Sequence, residues 1–234
     1  MIKTVFFDWF HTLARYDPPR EELHSRLLHD FGIEVSPSDL MPGLLAADGY
    51  FFTEGARAVP GKERSPQGQP ERYRRYLEIM LETAGVHAAP ELLPRILQQW
   101  PKLFGGSHFV LFDDVLPTIK GLKERRLTLG LLTNATREAI AIYADLGLAP
   151  YLDFVVTSEE AGADKPSPKI FLKALEKAGV SPPEAMHVGD QYDIDVAGAR
   201  GAGINPLLLD RFNLYAGGTD CPRIQTLPEI TAYL

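Results

Sequence analysis

The 234-residue sequence is poor in three features that would each indicate a particular class of protein. It has one cysteine, Cys221, so no disulfide can form within the chain, and we expect a reducing compartment. It has no cluster of Lys and Arg, and its formal net charge of -7 argues against a nucleic-acid backbone as a partner. No stretch approaches the roughly 20 apolar residues of a membrane span, and the first residues are typical of a strand and not of a signal peptide. We therefore expect a cytoplasmic protein with neither membrane nor nucleic acid as a partner.

A short apolar stretch near the N-terminus ends at a carboxylate. Residues 4–7 (TVFF) are β-branched or aromatic, which predicts a buried strand, and Asp8 follows directly. In open parallel sheets, ligands bind outside the carboxyl ends of the strands, so this position suits a catalytic acid. Taken alone, Asp8 could also be the cap of a following helix.

The next part of the chain, to about residue 105, has helical periodicity and no convincing strand. Apolar residues recur there at intervals of three or four, and the aromatic residues among them are typical of the core of a helical bundle. The predicted helices cover residues 20–31, 71–84 and 91–103, with another after Ser36 or Ser38, and residues 55–70 are predicted to form a loop.

From residue 106 onward, helical and strand patterns alternate. Repeated units of this length predict a parallel sheet with right-handed crossovers, which the N-terminal strand should join. We therefore expect an α/β core domain from residues 1–15 and 106–234, with residues 16–105 as a helical insertion. The predicted strands cover residues 127–132, 154–157, 185–188 and about 205–209, and the predicted helices 116–124, 137–146, 168–178 and 195–202.

Three further polar residues, Thr133, Lys165 and Asp190, fall at the ends of these strands or in the loops after them. Each has an ordinary explanation, because Thr133 or Asp190 could cap a following helix and Lys165 could be a solvated loop lysine. Together with Asp8, they would place two carboxylates, a hydroxyl and an ammonium group at one end of one sheet. That arrangement is poor for stability and suited to charge chemistry, so we expect a catalytic site there.

Four short motifs follow one another along the chain. They are residues 8–13 (DWFHTL), 132–134 (LTN), 165–166 (KP) and 189–195 (GDQYDID). In this order they resemble the motifs of the haloacid dehalogenase-like hydrolase superfamily, and the segments 157–168 and 196–203 resemble the superfamily's sequences around the third motif and after the fourth. The resemblance extends over the whole chain and implies a three-layer, Rossmann-like parallel-sheet core with an inserted α-helical bundle as a cap domain.

The resemblance implies nucleophilic catalysis by a carboxylate. Asp8 would attack the substrate and form a covalent aspartyl intermediate that water then hydrolyses. Thr133 would hydrogen-bond the group being transferred, and Lys165 would neutralise charge on the nucleophile and the substrate. The residues expected to contact the substrate, a small and anionic molecule, are Phe10, His11, Thr12 and Asn134.

The resemblance also implies a cofactor. In the phosphatases of the superfamily, Mg²⁺ would lie between Asp8, the backbone carbonyl of Phe10 and Asp190, all oxygen donors of the kind that this cation prefers. Asp195 is favoured over Asp193 as the group that holds Lys165 or a metal-bound water.

The sequence departs from the phosphatase pattern beside the nucleophile. Phosphatases of the superfamily usually carry a second Asp two residues after the first, where it transfers a proton, and this chain has Phe10 there. Dehalogenases tolerate an aromatic residue at that position, but they resemble a Ser-Ser-Asn pattern where this chain has Gly189 and Asp190. His11 replaces the usual Gly and could substitute as the proton donor, since its charge changes near neutral pH.

Two further comparisons concern the insertion. Trp9 resembles the phosphonate-cleaving branch, which needs a cap lysine that forms an imine, but neither cap lysine, Lys62 or Lys102, shows a supporting pattern. Arg15, Arg20 or another cation could recognise an anionic substrate, or these could be exposed arginines without a special role.

The combined signals favour a Mg²⁺-dependent phosphatase, because Asp190 beside Asp8 would need a cation to offset the repulsion of two carboxylates. We expect it to prefer substrates with acidic leaving groups. The alternatives are a metal-free 2-haloacid dehalogenase, and a non-catalytic phosphate-binding protein marked by Phe10.

Overall fold

The computed structural model describes residues 1–53, 69–135 and 139–234, with 139–141 described by their backbone alone. Lys62, most of the loop predicted over 55–70, and the predicted start of a helix at residue 137 lie outside the described residues. The chain divides into two compact units, one formed by Met1–Arg15 with Phe109–Leu234, the other by Tyr16–His108.

The first unit is built on a parallel sheet. The strands of the chain are β1 Thr4–Phe7, β2 Ala14–Asp17, β3 His108–Leu111, β4 Thr128–Thr133, β5 Phe154–Thr157, β6 Ala185–Gly189, β7 Asn205–Leu209 and β8 Arg223–Ile224. Six of them form one sheet in the order β5-β4-β1-β6-β7-β8, with every neighbouring pair parallel. This confirms the predicted α/β fold with a Rossmann-like parallel-sheet core.

Helices connect the strands of this sheet. They are α5 Val115–Glu124, α6 Ala139–Asp145, α7 Ser158–Ala161, α8 Pro168–Ala178 and α9 Ala197–Gly201, with 3₁₀ turns at Pro182–Glu184 and Leu227–Tyr233. The helix predicted over 195–202 differs in one respect, because its first part is a π-helical turn, Tyr192–Val196, that leads into α9.

The position of β1 in the sheet determines where Asp8 lies. All four residues of β1 are buried, and Phe7 at its end pairs with Leu131 of β4 on one side and Val188 of β6 on the other. The carboxyl ends of β1, β4 and β6 are therefore adjacent. Because the strands are parallel, the residues that follow them share one edge of the sheet.

The second unit is helical, as the periodicity predicts. Its helices are α1 Arg20–His29, α2 Pro37–Thr53, α3 Pro70–Thr83 and α4 Leu92–Leu103. Leu44, Leu77 and Ile96 are fully buried in its core, and Tyr76 and Trp100 pack edge to face at 5.6 Å. Gly43 allows α2 and α3 to approach closely, since a Cβ there would lie 2.2 Å from the Met80 carbonyl oxygen.

The strands β2 and β3 lie where the chain passes from one unit to the other. They pair with each other as a two-stranded sheet that the sequence did not indicate.

Among the described helices, none combines the length and apolar composition that crossing a membrane requires.

Candidate active site

Asp8 lies at the centre of the sheet edge. Its backbone N–H donates to the carbonyl of Val188 at 2.8 Å, which continues the β1–β6 pairing by one residue. Its side chain is buried and contacts the ammonium group of Lys165. Burial raises the pKa of Asp8 to about 6, against the opposing attraction of Lys165. A buried carboxylate beside a cation is a suitable nucleophile, provided that its proton is displaced.

Lys165 is a buried cation between two carboxylates. It is only 2% exposed, and its Nζ donates to Asp8 and, at 2.7 Å, to Oδ1 of Asp195. Burial alone would lower the pKa of Lys165, but the charges of Asp195 and Asp8 outweigh it and raise the pKa. Lys165 is therefore a fixed positive charge at this edge of the sheet.

Asp195 is held by three donors. Its Oδ1 accepts from Lys165 and, at 2.9 Å, from Nε2 of His187, and its Oδ2 accepts from the backbone N–H of Gln191 at 3.1 Å. Burial would raise the pKa of Asp195, but Lys165 and His187 together lower it. Gly189 makes room for this side chain, since a Cβ there would lie 2.2 Å from Cγ of Asp195.

His187 is a site residue that the sequence did not reveal. It lies within β6, is 1% exposed, and has its pKa lowered by burial despite the hydrogen bond to Asp195. Because the carboxylate of Asp195 can only accept, the neutral imidazole must carry its proton on Nε2. In the sequence, this position was indistinguishable from any other buried residue of a strand.

Three carboxylates form a cluster that could hold a metal ion. One oxygen each from Asp8, Asp190 and Asp195 lie within 4.8 Å of one another, and all three residues are buried. An all-oxygen set of this charge fits Mg²⁺. Asp193, the less favoured alternative to Asp195, is exposed and lies outside the cluster. The part of the Phe10 carbonyl in such a site stays a prediction.

The turn after Asp8 holds His11 in an unusual conformation. The N–H groups of Leu13 and Ala14 both donate to the carbonyl of Trp9, and that of His11 donates to the carbonyl of Ala14 at 2.7 Å. His11 has a φ of +64°, a left-handed conformation that favours glycine. This conformation fits the glycine that the superfamily usually has at this position. His11 is buried, and its Nδ1 lies 4.0 Å from Oδ2 of Asp190.

Asn134 positions the backbone of Lys165. Its Oδ1 accepts from the N–H of Lys165 at 2.7 Å, and its Nδ2 donates to the Lys165 carbonyl at 3.2 Å. The neighbouring Thr133, also buried, accepts from the N–H of Ala135 at 3.2 Å. The hydroxyl of Thr12 is buried and has no hydrogen-bond partner among the residues that the structure describes. The predicted contacts of these residues with a substrate stay predictions.

Tyr143 on α6 is a second residue that the sequence did not single out. Its ring packs against that of Trp9 at 4.4 Å, and both residues belong to the hydrophobic core that also contains the strand before Asp8. Burial raises the pKa of Tyr143 to about 12, with a smaller opposing effect of Thr133. The phenol is therefore neutral.

One of the two interpretations of the arginines was that they are exposed and have no special role, and for Arg20 this is wrong. Arg20 lies buried in the helical unit, with Nη2 2.7 Å from Oδ2 of Asp48. Asp48 also accepts from the hydroxyl of Tyr76 at 2.9 Å. Arg15 is half-buried, and Lys102 is exposed. Substrate recognition by either arginine stays a prediction.

The chain is similar to several known proteins. It is 32% identical to human haloacid dehalogenase-like hydrolase domain-containing protein 3 over 211 residues, which are 89% of this chain and 82% of the human protein. It is 27% identical to a ribulose-1,5-bisphosphate 5-phosphatase of Halopiger xanaduensis, covering 90% of this chain and 85% of that protein.

A solved structure shares the fold. A HAD-hydrolase from Bacillus subtilis bound to magnesium superposes with a TM-score of 0.66 at 21% identity, covering 100% of this chain and 98% of the other. The family model described as haloacid dehalogenase-like hydrolase matches residues 2–203, which include Asp8, Thr133, Lys165 and Asp190. This chain therefore belongs to the haloacid dehalogenase-like hydrolases, a family of enzymes.

Proposed function

We propose that this protein is a Mg²⁺-dependent phosphatase that uses Asp8 as its nucleophile and acts on a small phosphorylated molecule. The observation that carries the proposal is the cluster of Asp8, Asp190 and Lys165 at one end of the sheet. The relative from Halopiger, a phosphatase by its name, supports the same chemistry. The cation would be held by Asp8, Asp190 and the Phe10 carbonyl, and would supply positive charge beside the phosphoryl oxygens.

The reaction has two steps at Asp8. A carboxylate oxygen bonds to phosphorus while the ester P–O bond breaks, and the leaving oxygen takes the electron pair. Water then attacks the acyl phosphate and releases inorganic phosphate, which regenerates Asp8. Lys165 keeps Asp8 ionised and offsets the charge of the incoming phosphoryl group, and Thr133 would donate a hydrogen bond to a phosphoryl oxygen.

The other buried groups hold this arrangement. Asp195 fixes the ammonium group of Lys165, and Asn134 fixes its backbone. Both oxygens of Asp195 already accept hydrogen bonds from the protein, so we assign it to positioning Lys165 in preference to direct metal binding.

Phe10 favours a second candidate, dehalogenation of 2-haloacids. Expelling a halide needs no proton donor, and Phe10 has no proton to give. The buried Asp190 argues against it, because a metal-free reaction would leave a second carboxylate beside the nucleophile without a divalent cation to offset it.

A hydrolase screen separates the candidates. Phosphate esters and 2-haloacids are assayed with Mg²⁺ and with a chelator, and Asp8→Asn serves as the blank because it keeps the shape and removes the nucleophile. We expect phosphate release that requires both Mg²⁺ and Asp8. Halide release that survives chelation would establish the dehalogenase. Tight phosphate binding without turnover of any substrate would establish the non-catalytic alternative.

A further inference from the structure

Three aromatic rings form a continuous row next to the nucleophile. The ring centroids of Phe10 and His11 are 4.1 Å apart with their planes tilted by 37°, and those of His11 and Phe212 are 5.1 Å apart at 55°. His11 is buried, Phe10 is half-buried, and Phe212 is 36% exposed. The row therefore has the buried His11 at its centre and reaches the surface of the α/β unit at Phe212.

The two residues before Phe212, the exposed member of the row, are both anchored. Arg211 makes a two-pronged ion pair with Asp114, with both N–O distances 2.9 Å, and also donates to the carbonyl of Thr12 at 3.0 Å. Asp210 is buried, and its carboxylate accepts from Arg223 at 2.7 Å.

The loop beyond Phe212 is also fixed. Asp210 accepts from the backbone N–H groups of Leu214 at 2.7 Å and Tyr215 at 2.9 Å. An exposed phenyl ring on an unrestrained loop would be an ordinary surface feature. A ring presented between two anchored residues is preorganised for contact, which lowers the entropic loss on binding.

The buried middle member of the row, His11, lies near the proposed reacting groups. Nδ1 of His11 is 4.0 Å from Oδ2 of Asp190, whose carboxylate clusters with that of Asp8. A group attached to a phosphoryl unit at Asp8 could therefore extend along the row toward Phe212.

From this geometry we propose that Phe212 and Phe10, packed against the buried His11, bind the leaving group of the substrate, and that this leaving group is a planar aromatic ring. The inference rests on the proposed phosphatase function and assigns its substrate class, the aryl phosphate monoesters. Aromatic rings prefer offset or edge-to-face contacts at the centroid separations found in this row, so a further ring would continue it.

The chemistry of such a substrate fits Phe10. When Asp8 attacks phosphorus, the P–O bond to the aryl group breaks and the electron pair goes to the phenolic oxygen. A phenolate is a far weaker base than an alkoxide, so it can leave without first taking a proton. It is protonated later by water, and the acyl phosphate on Asp8 is hydrolysed as for any other ester.

Binding of two phosphonates tests the aromatic surface without requiring turnover. Phenylphosphonate and methylphosphonate are titrated calorimetrically into the full-length protein in the presence of Mg²⁺. We expect the wild type to bind phenylphosphonate about 3- to 10-fold more tightly, the range of one aromatic contact. Phe212→Ala should remove this preference and leave methylphosphonate binding unchanged, and Phe212→Tyr should retain it. Leu172→Ala is the matched control, since Leu172 is another exposed apolar side chain, on α8.

Kinetics gives an independent readout. In Phe212→Ala, KM for phenyl phosphate should rise by the same factor, with KM for an alkyl phosphate unchanged. Equal affinity of the wild type for the two phosphonates would overturn the inference, as would an equal loss of both in Phe212→Ala. If the wild type hydrolyses phosphate esters but shows no aryl preference, only this inference fails. If it shows the preference but hydrolyses no ester, the proposed function fails and the aromatic binding surface stands.

Discussion

Replacing Phe10 by Asp should turn a slow reaction of alkyl phosphates into a faster one. The substitution places an ionisable oxygen two residues after Asp8, the proposed nucleophile, where the protein has only a phenyl ring. Proton transfer from a positioned general acid is typically worth ~10²–10⁴ in rate. We expect the lower end, about 10²-fold in kcat/KM, because the smaller side chain leaves space and is not held by partners evolved for it.

The same substitution has a predictable effect on stability. Phe10 packs against His11 at 4.1 Å and Phe109 at 6.2 Å, and both contacts are lost. Because Phe10 is only half-buried, we expect a loss of about 1–2 kcal/mol, less than the 3–5 of a fully buried Phe. For a chain of this size, that corresponds to a melting temperature lower by roughly 2–8 °C. A gain in activity would therefore occur in a less stable protein.

The assay measures kcat/KM for a series of phosphate monoesters that runs from nitrophenyl to simple alkyl esters. In the wild type, the rate should fall steeply as the leaving group becomes more basic. In Phe10→Asp, the slope should flatten, because protonation by Asp helps the basic leaving groups most. Phe10→Asn is the matched control, with the same size and no proton to transfer. If the Asn and Asp variants gave the same slope, or if neither differed from wild type while remaining folded, the reasoning about Phe10 would be refuted.

Two other variants test the buried charges. For the wild type, Mg²⁺ at 100 times Kd should stabilise the folded protein by about 2.7 kcal/mol, which raises the melting temperature by roughly 5–10 °C. In Asp190→Asn, most of this increase in melting temperature should be lost. An unchanged increase would show that the cation binds elsewhere. His187→Leu removes the hydrogen bond to Asp195, so Asp195 and with it Lys165 should lose their fixed positions and kcat should fall by about 10- to 100-fold. In His187→Gln, the amide N–H can donate to Asp195, so kcat should be partly restored. Equal kcat values for the Leu and Gln variants at matched melting temperatures would show that His187 contributes only packing and does not position Asp195.

The residues of the site that the sequence revealed all depend on local patterns. The apolar stretch before Asp8 and the one before Gly189 predict strands, and a parallel sheet brings the ends of such strands to one edge. Thr133 follows from the same argument. Strand position is a property of hydrophobic periodicity, so these placements needed no knowledge of distant contacts.

The features of the site that the sequence did not reveal depend on contacts between residues far apart in the sequence, or lie inside regular elements. His187 looks like any buried residue of a strand, and only its 2.9 Å contact with Asp195 distinguishes it. The contact of the Asn134 amide with the backbone of Lys165, 31 residues away, was not indicated by the sequence, and its predicted contact with the substrate stays a prediction. The π-helical turn that directs Asp195 inward and leaves Asp193 exposed has no signature in hydrophobic periodicity, because both residues fall within one turn.

The charges of the buried cluster support the proposed binding of a divalent cation at this site. With all three carboxylates of Asp8, Asp190 and Asp195 ionised and Lys165 protonated, the cluster carries a net charge of -2, and the neutral His187 does not alter that sum. A buried net charge of this size is strongly unfavourable unless it is compensated. Burial, with a smaller contribution from the charge of Asp195, raises the pKa of Asp8 against the attraction of Lys165, and a protonated carboxyl group would be a poor nucleophile. The proposed Mg²⁺ would neutralise the net charge of the cluster and lower the pKa of Asp8, so the ion that would stabilise the folded site would also keep Asp8 ionised for attack.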